Sequence, residues 1–572
     1  VLRDVTCGEL RTKDSGKNVT IAGWVRKIRD HGEIIFIDLW DRYGITQVVF
    51  SPDNPELRER AKKLGLEWVI RIKGKVDKRP KKMVNPEIET GEIELIAEEF
   101  EILNKSRVPP FVVKEDLNAE WELRLKYRYL DTRRDAILRS FILRHNLTQK
   151  TREYLNSKGF LELETPILAK STPEGARDFY VPSRLQPGSF YSLAQSPQLY
   201  KQILMVAGYD RYYQFARCFR DEDMRGDRQL EFTQIDIEMA FPECEDIYEL
   251  GEGLMCHIVE KTLGERPTTP FPRIPYKESI EKYGTDKPDL RNPLVIKDYT
   301  DIAKSGEYGI FIRNEVTEGI KIKRLFSRKE LNELEAFMKN AGAKGLLYIM
   351  NERGKFRTPI AKYFENIEDF GVSRGETLFL ISGKKKEVLE FLSALRIKLG
   401  KRYDLLSEDW RFLWITNFPI FEWSDEDEMW TPSHHIFTQP DGDLDNIEKD
   451  PGSVIGKLYD LVLNGVELGS GSIRNHDPEV QMRLFRVIGI KDKEAEERFG
   501  FLLKALSYGA PPHGGIALGF DRICMLLAGL DSIAEVITFP KTLTGLGLME
   551  GSPSSISSKD LKELKIDIKK NE

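Results

Sequence analysis

Cysteine is scarce in this chain and never paired. The five cysteines stand far apart, at positions 7, 218, 244, 256 and 524, so neither a zinc site nor a disulfide framework is expected. Two common nucleotide cradles are missing as well. There is no Gly-x-x-x-x-Gly-Lys-Ser/Thr and no Gly-x-Gly-x-x-Gly, which argues against a P-loop or a dinucleotide fold. No stretch approaches the ~18 apolar residues of a membrane span. The first residues carry no basic stretch leading into an apolar core, so no secretory leader is expected, and a reducing cytoplasm fits best. Positive charge is not in excess: 87 Lys and Arg stand against 93 Asp and Glu, a net charge of −6. Any polyanion would have to be met by local patches, such as the basic run from Arg71 to Lys82.

What is present is a soluble, globular composition, 40% hydrophobic and 31% charged, in 572 residues that should hold several domains. Alternating patterns predict strands at Val19 to Ile28, Ile34 to Trp40, Ile45 to Phe50, Trp68 to Val76 and Ile93 to Leu103. A helical stretch from Pro52 to Leu64 follows the third. Five strands with one such helix predict an OB-fold β-barrel over residues 1–104. Residues 105–134 contain prolines and then dense charge, and read as a hinge.

From Asp135 an amphipathic helix is predicted, with Ile137, Leu138, Phe141, Ile142, Leu147 and Leu155 on one face and Gly159 as its cap. An extended stretch from Phe160 to Leu168 follows, and Pro166 marks it as an edge or an interface. Helices at Arg328 to Asn340 and Lys385 to Leu399, with strands at Leu346 to Met350 and Thr377 to Ile381, set off residues 286–400 as an inserted α+β module. Residues 553–572 are rich in serine and lysine, and poor order is expected there.

The richest chemistry lies at 218–236, Cys-Phe-Arg-Asp-Glu-Asp-Met-Arg-Gly-Asp-Arg-Gln-Leu-Glu-Phe-Thr-Gln-Ile-Asp. The pattern suits a hairpin with a long polar loop, with Arg220 near the end of its first strand. An arginine on a rigid strand can grip a phosphate with two parallel hydrogen bonds, and Phe232 offers a face to a purine.

This run resembles motif 2 of class II aminoacyl-tRNA synthetases, in the bacterial aspartyl branch of subclass IIb. Residues 137–168 resemble motif 1, which builds the dimer contact in that family. Residues 515–527, Gly-Ile-Ala-Leu-Gly-Phe-Asp-Arg-Ile-Cys-Met-Leu-Leu, resemble motif 3. Three further segments match: Ser-Thr-Pro-Glu-Gly-Ala-Arg-Asp at 171–178, Gln-Ser-Pro-Gln-Leu-Tyr-Lys-Gln at 195–202, and 460–474 around a Gly-Ser-Gly-Ser turn. The fold implied is multidomain α+β: an N-terminal OB-fold barrel, an antiparallel class II sheet flanked by helices over 135–285 and 401–552, and a GAD-like α+β insertion. In this family ATP and Mg²⁺ serve activation, ATP being held by arginines and metal.

The resemblance implies a role for each matching residue. Arg220 would bind the α-phosphate and the reacting carboxylate, and Arg522 the γ-phosphate; an ion pair with Asp521 or another acid is the plain alternative for Arg522. Asp221, Glu222, Gln229, Phe232, Glu467, Gly519, Phe520 and Asp521 complete the ATP site. Asp460 and Glu467 would hold the metal. Lys201 and Arg474 are the cations for the side chain of L-aspartate, with Glu174, Gln198 and Asp236 orienting its ammonium. His434 is favoured over His435 as the histidine of a closing loop, because two neighbours do not easily face one ligand. On the barrel, Arg29, Phe36 and Gln47 would meet anticodon bases, a core role being the alternative for Phe36. His31 and Lys82 would govern tRNA choice, and their signals conflict on whether tRNA(Asn) is charged beside tRNA(Asp). A sister synthetase for asparagine or lysine and a catalytically inactive tRNA-binding scaffold are the alternatives.

Overall fold

The computed structural model describes residues 1–115, 117–172, 176–442 and 444–569. It divides into two compact units, one of Val1–Ile142 with Ala534–Ser554, the other of Leu143–Ile533 with the residues from Ser555.

The first unit is built on a closed barrel in the order β1-β2-β3-β5-β4, with β1 Asn18–Asp30, β2 Ile35–Asp41, β3 Gly44–Phe50, β4 Val69–Lys78 and β5 Ile93–Asn104. Alternation does the work: Ile35, Ile37 and Leu39 point inward and are fully buried, and Ile21, Val25, Val48, Ile70, Ile72 and Leu95 meet them. Helix α1, Pro55–Ala61, is shorter than the predicted stretch because it is capped late. Asn54 Oδ1 accepts from Leu57 N at 3.1 Å, and Pro55 opens the first turn. The predicted hinge holds the buried Arg128, whose guanidinium pairs with Asp131 (2.7 Å) and donates to the carbonyls of Ala534, Ile537 and Thr538.

In the second unit, α2 (Asp135–Ser157, beginning in the first unit) leads to β6, Leu161–Glu162. A small sheet follows from β7 Leu168–Ala169, β8 Tyr180–Pro182 and β9 Phe190–Leu193. Then come α3 Gln198–Val206, the hairpin β10 Arg211–Phe219 and β11 Glu231–Ala240, helix α4 Cys244–Leu263 and β12 Arg273–Pro275.

A separate five-stranded antiparallel sheet comes next: β13 Ile296–Asp298, β14 Val316–Ile322, β15 Leu347–Glu352, β16 Lys355–Arg357 and β17 Thr377–Gly383, in the order β13-β14-β17-β15-β16. Helices α5 Arg328–Asn340 and α6 Lys385–Arg402 pack on it through Leu331, Leu334, Leu392 and Leu395. Buried Arg396 on α6 ties this region together by donating to the carbonyls of Leu294 (2.6 Å), Asn292 (2.7 Å) and Asp289 (2.8 Å).

The chain returns through β18 Phe412–Thr416, β19 Leu458–Leu463, β20 Val466–Ile473, β21 His513–Gly519 and α7 Phe520–Leu527. These complete an eight-stranded sheet in the order β12-β18-β19-β20-β21-β11-β10-β6.

One expectation fails at the tail. Helix α8, Ser558–Leu564, forms there, with Ser557 Oγ accepting from Asp560 N at 3.1 Å. Arg184 pairs with Asp560 and Glu563 on it. A capping serine and a remote cation order a segment whose composition alone reads as loose.

Candidate functional site

A cavity of about 470 Å³ opens on the large sheet. Its floor is β11, β20 and β21, three neighbouring antiparallel strands, so side chains two residues apart point into it together. Glycine is required in those strands wherever a neighbouring carbonyl leaves no room for a side chain, as at Gly469, Gly471 and Gly515. A Cβ at Gly469 would lie 2.2 Å from the Ala517 carbonyl, and one at Gly515 would lie 2.0 Å from Ile237 O and 2.3 Å from Glu238 Oε2. Nothing larger than hydrogen fits there, and the carboxylate of Glu238 occupies the space above Gly515.

At one end of the cavity four charges are buried together, each 0–1% exposed. Arg474 grips Glu238 with two parallel bonds, Nε to Oε1 at 2.9 Å and Nη2 to Oε2 at 3.0 Å. Lys201 Nζ, from α3, donates to Asp236 Oδ1 at 3.0 Å and lies 3.5 Å from Glu238 Oε2. Burial pushes Glu238 upward, but Arg474 and Lys201 outweigh it and hold the carboxyl below its usual range. Burial raises Asp236, Lys201 opposing, and its Oδ2 has no hydrogen-bond partner among the described residues. The remaining Arg474 nitrogen, Nη1, contacts His435 Nε2 at 2.7 Å and donates to Ser472 Oγ at 2.9 Å. Burial and the charge of Arg474 keep His435 neutral, its pKa well below the usual imidazole value.

The other end is set by the β10–β11 hairpin and α7. Arg220 follows β10 directly, its backbone N donating to Leu230 O at 2.9 Å. Its guanidinium lies 5.1 Å over the ring of Phe232, and no carboxylate pairs with it among the described residues. Arg522 Nη1 donates to Glu467 O at 2.9 Å, with Asp227 Oδ2 at 3.3 Å and Glu467 Oε1 at 3.7 Å. Asp521 turns elsewhere, accepting from Arg144 and from Thr233 N (2.8 Å), so the alternative ion pair of Arg522 forms with another acid, Asp227, and not with Asp521. Glu222 pairs with Arg228 at 3.0 Å.

Of the residues singled out from sequence, Gln198, Arg220, Glu222, Gln229, Phe232, Asp236, His434, Glu467, Arg474, Gly519, Asp521 and Arg522 line the cavity. Glu174 lies outside the described residues. Four others sit off the wall. Lys201 is paired with Asp236 and Glu238. Asp221 is turned to Arg177. Phe520 is 2% exposed and packs edge-on against Phe215. Asp460 is buried beside the cavity, 3.7 Å from His434 Nε2.

Both histidines line the wall, His434 as expected and His435 beside it. His434 Nδ1 meets Ser470 Oγ at 3.1 Å while His435 turns to Arg474 and Ser472. They lie outside the regular strands, where successive side chains need not alternate. Glu238 was missed altogether. Its signal was available, because it lies two residues after Asp236 on the same strand face.

Asp460 and Glu467 stand on the adjacent strands β19 and β20, where Asp460 pairs with Ser470 and Val462 with Glu467 across a bulge. Burial lifts the Asp460 carboxyl to about 7, opposed by His434 and aided by the nearby charge of Glu467. Its Oδ1 has no hydrogen-bond partner among the described residues. Among the described residues no group of three His, Cys, Asp or Glu could hold a metal. Two carboxylates completed by phosphates and water are the usual demand of Mg²⁺, so this pair fits it.

On the barrel, Arg29, Phe36 and Gln47 share an outer face. Arg29 pairs in register with Phe36, and Asp38 with Gln47. Phe36 is half-buried between inward Ile35 and Ile37, so the core alternative fails. Its ring meets His31 edge-on at 5.8 Å. Arg29 donates to both oxygens of Asp38 (2.9 and 2.6 Å) and to Gln47 Oε1 (3.0 Å). Lys82 is exposed on a short 3₁₀ turn.

The family model for tRNA synthetases class II (D, K and N) matches residues 120–543, and that for the OB-fold nucleic acid binding domain matches 19–103. The aspartate–tRNA(Asp/Asn) ligase of Caldanaerobacter subterraneus subsp. tengcongensis is 48% identical, covering 98% of this chain and 98% of its own. That of Desulfatibacillum aliphaticivorans is 47% identical over 100% of this chain and 98% of its own. The crystal structure of asparaginyl-tRNA synthetase from Pyrococcus horikoshii complexed with asparaginyl-adenylate superposes with a TM-score of 0.61 at 22% identity, over 94% of this chain and 98% of that one. The last likeness concerns the fold alone. The family match and the two relatives go further: the chain belongs to the class II tRNA synthetases (D, K and N).

Proposed function

We propose that this chain is an aspartate–tRNA ligase: it joins L-aspartate to ATP, releasing pyrophosphate, and passes the aspartyl group to the 3′ end of tRNA. The observation that carries the reading is the wall position of Arg474, aimed by Glu238 and flanked by neutral His435. Nη1, held by Ser472 and His435, is the nitrogen a short carboxylate would engage, and Asp236 Oδ2, unpartnered among the described residues, suits the substrate ammonium. The two relatives are named for aspartate and support the same choice.

In this reading the α-carboxylate of aspartate attacks the α-phosphate, and no protein nucleophile is needed. Catalysis is positioning and charge stabilisation. Arg220 spans the α-phosphate and the attacking carboxylate, Phe232 stacks the adenine, and Arg522 holds the γ-phosphate of a bent ATP. Glu222 and Gln229 contact the nucleotide, and Gln198 orients the amino acid. Asp460 and Glu467 would hold Mg²⁺, which when bound offsets charge on the phosphates. ATP–pyrophosphate exchange without tRNA, run with aspartate, asparagine and lysine, tests the reading. Exchange driven by aspartate alone is expected; exchange with another amino acid moves the chain to a sister enzyme. Arg220→Ala should abolish exchange while tRNA still binds.

The domain reading follows: 1–104 meets the anticodon, 135–285 with 401–552 performs the chemistry, and 286–400 is an insertion of α+β type. Exposed Leu161, Ile167 and Leu168 beside Pro166 support a homodimer through this region, which sedimentation of the free enzyme tests. No helix among the described residues is long and apolar enough to cross a membrane. The five free cysteines suit a reducing cytoplasm. The relatives' names support charging of tRNA(Asn) as well. His31 beside Phe36 is the residue we assign to that choice. His31→Leu should raise the preference for tRNA(Asp), and an unchanged ratio of charging rates would remove the assignment.

A further inference from the structure

The region between β12 and β18 reverses the charge balance of the chain. Residues 286–400 hold 22 lysines and arginines against 17 aspartates and glutamates, in a protein of net charge −6. The excess is concentrated. Residues 321–329, Lys-Ile-Lys-Arg-Leu-Phe-Ser-Arg-Lys, contain five cations and no acid. They leave the end of β14 and enter α5.

Strand order brings two further basic turns to the same end of the sheet. Ile322, closing β14, and Met350, near the end of β15, both pair with Thr377 at the start of β17. Thr377 Oγ1 donates to Arg324 O at 2.6 Å. The turn before β17 carries Arg374, and the turn after β15 carries Arg353 in the left-handed region at φ 56°. Buried Asn351 staples these turns together. Its Nδ2 donates to Val372 O, its carbonyl accepts from Gly375 N, and its Oδ1 accepts from Gly354 N, each at 2.9 Å.

The cations at this end differ in how they are used. Lys321 donates to Gly371 O, and Arg324 pairs with Glu330 at 3.0 Å. Glu330 is also held by the Ser327 cap, and Glu376 accepts from Ser373 N. Lys323, Arg328, Lys329, Arg353 and Arg374 are exposed, and none of them pairs with a carboxylate among the described residues. Phe326, the aromatic residue within the 321–329 run, is buried, so this run offers charge without an exposed ring for a base to stack on. A sugar-phosphate backbone is the polyanion that such a surface fits.

We propose that this basic end of the insertion sheet grips the phosphate backbone of the tRNA substrate, contributing affinity without reading sequence. The proposal rests on the ligase reading above. The test compares the full-length enzyme with K323E/R328E/K329E and with R353E/R374E. The tRNA KM of aspartylation should rise on the order of 10-fold in the triple variant, and the slope of log K against log salt should fall by about 2–3. Both kcat and tRNA-free exchange should stay at the parent level. Unchanged tRNA KM and salt slope, with exchange intact, would overturn the proposal. So would loss of binding to phosphatidylserine vesicles with tRNA KM unchanged, which would assign the patch to a lipid surface. If the glutamate variants lose exchange through misfolding, K323Q/R328Q/K329Q decides by the same readouts. A parent enzyme that exchanges but never charges tRNA would refute the ligase reading instead.

Discussion

Two polar clusters in this protein are made of the same parts and behave differently. On the large sheet, Arg474, Lys201, Glu238 and Asp236 are sealed at 0–1% exposure, and each cation touches a carboxylate that is shared or doubly bonded. On the barrel, Arg29 grips Asp38 just as squarely, yet their side chains remain 30% and 19% exposed. The sealed set cannot rearrange without stranding a charge in a low-dielectric interior, so it holds its geometry before substrate arrives. The barrel pair can exchange protein partners for water at little cost, so Arg29 can leave Asp38. Burial, rather than the choice of residues, separates a rigid specificity pocket from an adaptable surface.

The strongest way to break that comparison is to remove the shared carboxylate. Glu238→Gln should cut aspartate-dependent exchange on the order of 10²-fold or more and lower stability by about 3–5 kcal/mol, because two buried cations lose their partner. Exchange kinetics and denaturant unfolding together check it, and a loss under 1 kcal/mol would mean the cluster is wetter than its exposure indicates.

Glu318 on β14 sharpens the comparison from the other side, as a buried acid with no paired cation among the described residues. Burial and the neighbouring Asp298 push its carboxyl to about 7, with Lys385 opposing. The folded form therefore keeps its proton after the unfolded form has released it near the usual 4.5. The stability this carries is complete below the unfolded value and is lost as pH rises through about 7. Glu318→Gln should thus be neutral at pH ~5 and stabilising by about 1–3 kcal/mol at pH ~8. Thermal unfolding at the two pH values reads it directly.

Smaller still, Asp38→Asn on the barrel should cost about 0.2–1 kcal/mol and leave tRNA-free exchange untouched, with any effect confined to tRNA charging. The smallest effect is expected at the exposed contact of Arg184 with α8. Arg184→Ala should move stability by less than about 0.5 kcal/mol, and less at high salt.

Much of this was legible in the sequence where local pattern and chemistry coincide. The barrel strands follow from period-two alternation, and the β10–β11 hairpin with Arg220 at its turn follows from one dense motif. Strand β14 was not legible, because Val316–Ile322 mixes Glu318, Gly319 and Lys321 into its pattern. Nor was the pairing of Lys201 with Asp236 and Glu238, since a sequence shows which charges exist and not which neutralise one another. The tail helix was hidden because its partner, Arg184, lies far away along the chain.

The glycine floor under the cavity has a bearing on engineering. Where a Cβ at Gly469 or Gly515 would collide with a neighbouring carbonyl, the sheet admits no side-chain variation. A library aimed at a new amino-acid substrate would waste its members on those strands. Diversity would be better placed on α3 around Gln198 and on the Ser433–His435 segment, which border the same space without being bound by strand-to-strand spacing.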